Sequence, residues 1–163
     1  MNLYITSGTP EFMESIQEKY SKEEIFLLHG KGNSLLVHET EKKTVFQVPR
    51  KFEVVESAGK FAHNGYFVLH NIPISDEGKP IFEYLYTNLT STLEKEPGFI
   101  ALRVLKPIKS DVYVILTEWT GPNSFDVWQK SADINFDKLA DKQNFFTSAP
   151  YISTYTSIES DEH

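Results

Sequence analysis

The stretch Val114-Ile115-Leu116-Thr117-Glu118-Trp119 indicates the fold class, because its run of β-branched and aromatic residues is typical of a strand. Gly121-Pro122-Asn123-Ser124 follows and has the residues of a turn that caps a helix. Phe125 and Trp128 come next, at the spacing of one helix face. A strand followed closely by a short helix with an apolar face predicts helices packed on a sheet.

The elements around this stretch extend the pattern to six. The predicted elements are strands at 66–72, 99–105, 112–119 and 151–158 and helices at 76–93 and 125–130. The order strand, helix, strand, strand, helix, strand is that of the ferredoxin-like split βαβ unit. The sequence therefore predicts the α+β class, with a ferredoxin-like domain at residues 61–163.

The first sixty residues repeat part of this order. The predicted elements are strands at 2–7, 25–29, 35–40 and 44–48 and helices at 9–20 and 51–58. Thr9-Pro10-Glu11 gives the first helix a capping hydroxyl and a proline at its first position. Gly59 is interpreted as the stop signal of the second helix. We therefore predict a degenerate N-terminal ferredoxin-like half at residues 1–60.

Composition excludes several classes of protein. With 163 residues and 40% hydrophobic content, the chain can bury a core. A net charge of −7 without a basic stripe disfavours a nucleic-acid partner. The absence of cysteine excludes disulfides and thiol catalysis. No apolar run approaches the length of a membrane helix, and no signal peptide is evident, so a soluble, cytoplasmic protein without a membrane partner is expected.

Residues 66–158 resemble the antibiotic-biosynthesis-monooxygenase (ABM) superfamily, and within it the Isd-type heme-degrading monooxygenases in their long bacillus form. The whole chain also resembles the family of the staphylococcal target of RNAIII-activating protein. The matching features, in order, are Asn71 with Gly78, Pro97-Gly98-Phe99, Arg103-Val104-Leu105, Ile115-Leu116-Thr117 with Trp119, and Phe125 with Trp128 and Ser131. The resemblance implies a dimeric α+β barrel fold, with heme as both substrate and cofactor and an electron donor or reductase as partner.

The resemblance also implies roles for particular residues. Asn71 and Trp128 are the catalytic candidates: the amide would donate a hydrogen bond to the oxygen ligand, and the indole would press the porphyrin out of plane. Arg103 could bind a heme propionate. The family's iron-ligand position falls on Lys138 without gaps, or on Ala140 with a two-residue insertion. Neither is a histidine, and a protonated lysine is a poor iron ligand, so the metal ligand stays unassigned.

Three functions follow from these observations. The first is oxidative cleavage of heme with release of iron. The second is a cofactor-free ABM-type monooxygenase that acts on a planar aromatic small molecule, for which the missing histidine is no defect. The third is a non-catalytic regulatory or binding protein. The barrel could form in a homodimer or within one chain, if the N-terminal half covers the open sheet.

Strand alternation places the candidate residues on faces of the sheet. Asn71 should share one face with Phe67 and Leu69, whereas His70 should point to the opposite face. His70 is therefore interpreted as a structural or interface histidine. His29 and His38 belong to the 25–40 hairpin and are expected at the surface, and their spacing of nine residues does not suggest a metal site. His63 precedes a turn and is expected to be exposed.

Overall fold

A computed structural model describes residues 1–85, 89–131 and 146–157. The described elements are β1 (Asn2–Gly8), α1 (Pro10–Lys19), β2 (Ile25–His29), β3 (Ser34–Thr40), β4 (Arg50–Gly59), β5 (Gly65–Pro73), α2 (Lys79–Leu85), α3 (Leu89–Leu93), β6 (Phe99–Pro107), β7 (Val112–Trp119), α4 (Pro122–Ser131) and β8 (Tyr151–Ser157). The strands form a closed barrel in the order β4-β1-β3-β2-β8-β5-β7-β6, with β6 paired back to β4. The predicted α+β, ferredoxin-like fold is confirmed.

Each half of the chain contributes four adjacent strands to the barrel. In the first half the strands lie in the order fourth, first, third, second, and the second half repeats that order as β8-β5-β7-β6. This is the strand order of a ferredoxin-like sheet, so the barrel consists of two such sheets closed edge to edge within one chain. The predicted division at residues 60 and 61 falls in the connection between β4 and β5.

The two seams that join the halves differ in length. Strand β4 pairs with β6 along seven registered positions, from Phe52↔Pro107 to Gly59↔Ala101. Strand β2 pairs with β8 at the single position His29↔Thr156. All eight described strands nevertheless find neighbours on both sides, so the barrel they form leaves no open sheet edge.

Strand β4 replaces the helix that the sequence predicted at residues 51–58, and that prediction was wrong. Phe52 and Ala58 are buried, Val54 packs against the interior cluster, and the strand hydrogen-bonds with both β1 and β6. Gly59 has φ +71, and a Cβ there would collide with the carbonyl oxygen of Ile100. This glycine is required by close packing of β4 on β6, not by a helix end. Residues 44–48, also predicted as a strand, lie outside the described strands.

The helices lie outside the barrel. Helix α1 begins as predicted, because the Thr9 hydroxyl accepts a hydrogen bond from the backbone N–H of Phe12 at 3.3 Å and Pro10 follows. The long helix predicted at 76–93 is described as α2 and α3, and α2 begins only at Lys79 because a turn at Ser75 precedes it. In the part of the chain that the structure describes, no helix combines the length and apolarity that crossing a membrane requires.

Three apolar clusters organise the core. One fills the barrel interior and includes Leu28, Phe67 and Leu116. The second lies between α2, α3 and α4 and the outer face of β5, β6 and β7, and we call this face the helix-covered face. The third lies between α1 and the outer face of the first half and contains Met13. Because side chains alternate along a strand, neighbouring residues of β5 and β7 belong to different clusters.

Candidate functional site

The helix-covered face carries a cluster of five ring side chains that includes His70 and four aromatic neighbours. His70 lies on β5 beside Val68 and Ile72, which point to the same face. Its ring lies 5.8 Å from Phe125 and 6.4 Å from Trp128, measured between ring centroids, and both contacts are edge-on. The members of this aromatic cluster are Tyr66, His70, Trp119, Phe125 and Trp128.

Helix α4 brings two members of the aromatic cluster onto the sheet. Its start after Gly121 directs Phe125 and Trp128, three residues apart, towards β5 and β7. The Trp119 and Trp128 rings lie 5.6 Å apart at an interplanar angle of 31°. Trp119 is fully buried and its indole N–H donates to the Thr117 hydroxyl at 2.9 Å. Burial and this hydrogen bond hold the Trp119 ring in place, and Trp128, on α4, packs against it.

Burial keeps His70 uncharged. Only 4% of the residue is exposed, and desolvation lowers the pKa of its imidazole to about 4. The charged form is disfavoured in these apolar surroundings. At neutral pH the ring is therefore a neutral imidazole, which is the form that can coordinate a metal ion.

Asn71 points away from this cluster, into the barrel interior. It pairs with Val114, an interior residue, and shares its face of β5 with Leu69, as strand alternation predicted. Its amide N–H₂ donates to the carbonyl oxygens of Leu69 at 3.1 Å and Tyr151 at 3.4 Å, and to the Ser153 hydroxyl at 3.3 Å. The structure does not bring Asn71 and Trp128 together, because the sheet separates them.

Arg103 also lies inside the barrel. Its Nε and Nη2 donate to the two carboxylate oxygens of Glu39 at 2.7 and 3.3 Å, in a bidentate pair. Its Nη1 donates to three carbonyl oxygens, those of Ala58, Gly59 and Leu102. The guanidinium carbon lies 4.7 Å from the centre of the Phe61 ring. This side chain joins β6 to β3 inside the barrel and does not reach the helix-covered face.

Three other histidines lie elsewhere in the described chain, and His163 lies outside the described residues. His29 bonds the Ser34 hydroxyl at 2.7 Å, and the His63 ring stacks on Phe26 at 4.4 Å. His38 was predicted at the surface, which is wrong: it is buried, because its ring packs against Tyr4 and Phe46 in the cluster beneath α1. Lys138 and Ala140 lie outside the described residues. Among the residues described, no three His, Asp or Glu side chains cluster as a metal site would require.

Glu118 is a buried acid that the sequence did not single out. It points into the barrel interior between Phe67 and Ala101, and its Oε1 accepts a hydrogen bond from the Ala62 N–H at 2.8 Å. A Cβ at Gly65 would collide with Oε2, so the backbone passes directly over the carboxyl group. Desolvation raises the pKa of Glu118 to about 7, and the Ala62 hydrogen bond opposes this shift. The carboxyl group is therefore largely protonated below neutral pH.

Glu118 is expected to make stability fall as pH rises. Its folded pKa lies above the unfolded value of 4.5, so the folded state holds the proton more tightly between about pH 4.5 and 7. The free energy of unfolding should decrease across that window and level off above it. Glu118→Gln should remove this dependence and be more stable above pH 7, by on the order of 2 kcal/mol. Urea unfolding of both proteins from pH 5 to 8 measures this, and parallel curves would contradict it.

Comparison with known proteins identifies the class of domain that this face belongs to. The family model "Antibiotic biosynthesis monooxygenase" matches residues 65–135, which include β5, α2, α3, β6, β7 and α4. This part of the chain is therefore similar to the ABM family, and the resemblance seen in the sequence is confirmed. The aromatic cluster lies entirely within the matched residues.

Particular relatives fall into two groups. The chain is 25% identical over 158 residues to a signal transduction protein TRAP of Staphylococcus epidermidis, covering 95% of this chain and 94% of that one. It is 26% identical over 129 residues to a heme-degrading monooxygenase of Listeria monocytogenes, covering 79% and 77%. A solved structure described as a major regulator of staphylococcal pathogenesis shares the fold, with a TM-score of 0.89 at 20% identity, covering 98% of this chain and 100% of that one.

Proposed function

We propose that this chain is a heme-degrading monooxygenase-like protein that holds heme on the helix-covered face of β5 and β7. The observation that carries the proposal is the contact between His70 and Trp128 inside the ABM domain. The similarity to the Listeria heme-degrading monooxygenase supports the same ligand. A bound heme would supply an iron centre at which dioxygen is activated.

The residues of this face fit a heme by their chemistry. Trp119, Trp128 and Phe125 offer flat apolar surfaces for a porphyrin, and His70 adds one uncharged imidazole. Trp128 is only 4% exposed and its ring contacts fill the space above His70, so a porphyrin can enter only if this indole moves outward. Trp128 thus both closes the site in the free protein and contacts the ligand in the bound one.

The role that the resemblance gives to Asn71 does not follow from this geometry. An amide that donates to two carbonyl groups and a hydroxyl in the barrel interior is separated from the proposed ligand by the sheet. On the helix-covered face the adjacent residue, His70, occupies the corresponding place beside Trp128. We therefore base the proposed site on His70 and Trp128, while donation by Asn71 stays a prediction of the resemblance.

Hemin titration tests the proposal. The purified protein should give a saturable shift of the Soret band at one hemin per chain, and ascorbate should then cause the band to decay with release of iron. Trp128→Ala should weaken hemin binding about tenfold, because it removes one aromatic surface that contacts the porphyrin. Val127→Ala is the matched control, because Val127 lies on the outer side of α4 and is 64% exposed. This variant should bind hemin as wild type does. A titration without saturation would contradict the proposal.

A second function is favoured by a different observation. The similarity to the TRAP protein extends over 95% of the chain, compared with 79% for the heme-degrading monooxygenase of Listeria monocytogenes. A non-catalytic regulatory or binding protein on the same scaffold accounts for this coverage. Saturable hemin binding without any decay of the Soret band under ascorbate would favour this second function over degradation.

A further inference from the structure

We infer that His70 is the residue that coordinates the heme iron in this chain, an inference that rests on the proposed function. The chain has 5 histidines, and His70 is the only one within the matched residues 65–135. It is also the only imidazole that the described structure places on the helix-covered face.

The positions of the other described histidines leave them no access to this face. His29 is on β2, where it bonds Ser34, and His38 lies beneath α1 at 3.9 Å from Glu23. His63 stacks on Phe26 in the connection between β4 and β5. Each contacts the first half of the barrel, whereas the aromatic cluster belongs to the second half. A ligand held against Trp128 therefore meets only His70 among them.

Other side chains that ligate heme iron are thiolates, thioethers and phenolates. Cysteine is absent from the sequence, and Met13 is buried beneath α1. Tyr113 is on the helix-covered face, but its hydroxyl donates to Glu83 at 2.8 Å, and desolvation raises its pKa, which disfavours the phenolate. Tyr66 packs against Phe125 at the end of β5 and is the competing ligand that an experiment has to separate from His70.

Coordination by His70 would replace the iron ligand that the family pattern places at position 138. His70 lies on β5, whereas Lys138 lies outside the described residues. The position on β5 is held from both sides, because this strand pairs with β7 and with β8. Coordination from β5 would therefore make an iron ligand at Lys138 unnecessary for binding.

Hemin titration of the full chain with four variants tests this inference. His70→Ala should weaken hemin binding at least tenfold, and added imidazole should restore the Soret position by entering the vacated space. His70→Phe keeps a ring against Trp128 and Phe125 and so controls for loss of packing; it should fail to bind in the same way. His63→Ala, at a histidine that stacks on Phe26 in the first half of the barrel, should bind as wild type. Tyr66→Phe removes only the phenol oxygen and should retain the complex if His70 is the ligand. In wild type, resonance Raman of the ferrous complex should show an iron–histidine stretch.

Each result has one meaning. If wild type binds hemin and both His70 variants bind it with equal affinity and an unchanged spectrum, the inference is overturned while the proposed function stands. If Tyr66→Phe alone loses the complex, the ligand is Tyr66 and the inference is equally overturned. If wild type gives no saturable Soret shift, the proposed function fails and the inference fails with it. Far-UV circular dichroism of each variant verifies that the fold is retained.

Discussion

Arg103→Ala is expected to lower the free energy of unfolding by about 3 kcal/mol, the lower end of the range for breaking a buried ion pair, because Glu39 retains 20% exposure. The substitution leaves the Glu39 carboxylate without its bidentate partner. It also removes the donor to the carbonyl groups of Ala58, Gly59 and Leu102. Since Glu39 is on β3 and Arg103 on β6, the loss weakens a link between the two halves of the barrel. Equilibrium urea unfolding measures it.

Lys79→Ala is the matched control for this prediction. Lys79 bonds Asp76 and Asp111, each at 3.0 Å, but both carboxylates are exposed. Exposed pairs contribute less than about 1 kcal/mol. If the two substitutions lower the free energy of unfolding equally, the interior position of the Arg103 pair has no energetic consequence and the prediction is wrong.

Trp119→Ala is expected to cost about 3–5 kcal/mol of stability, the range for truncating a buried aromatic residue. Its ring is fully buried and contacts Phe99, Phe125 and Trp128, so truncation leaves a cavity at the centre of the aromatic cluster. Thermal and urea unfolding measure the effect. Phe12→Ala, at a side chain that is 61% exposed, should change stability little. A small loss at Trp119 would show that α4 relaxes into the space.

The comparison of His70 with Asn71 shows what the sequence could predict of the site. Alternation along β5 correctly placed the two residues on opposite faces. It could not tell which face the helices cover, because that depends on how α4 returns to the sheet. The resemblance assigned Asn71 to the site by its position in the pattern, and a difference of one residue in a strand exchanges the two faces. The signal for His70 was its place between Val68 and Ile72, which are apolar residues of the helix-covered face.

Residues 51–58 show the other limit of prediction. Their local sequence suits a helix as well as a strand, and Gly59 matches a helix stop. The strand forms because β1 and β6 both need a partner at this position, which is a property of the closed barrel and not of the segment. By contrast, the elements from β5 to α4 combine apolar periodicity with clear turn residues. Local pattern alone therefore predicted their order.

Closing two ferredoxin-like sheets in one polypeptide has a consequence for how a ligand is bound. A barrel assembled from two separate copies is held together only above a certain protein concentration and carries two equivalent sites. Here dilution cannot separate the halves, and they have been free to diverge: residues 41–49, all described, form no helix where the second half has α4. The first half thus has no helix that carries a pair like Phe125 and Trp128 onto its sheet. Ligand uptake should follow a simple hyperbola with a stoichiometry of one, without communication between paired sites.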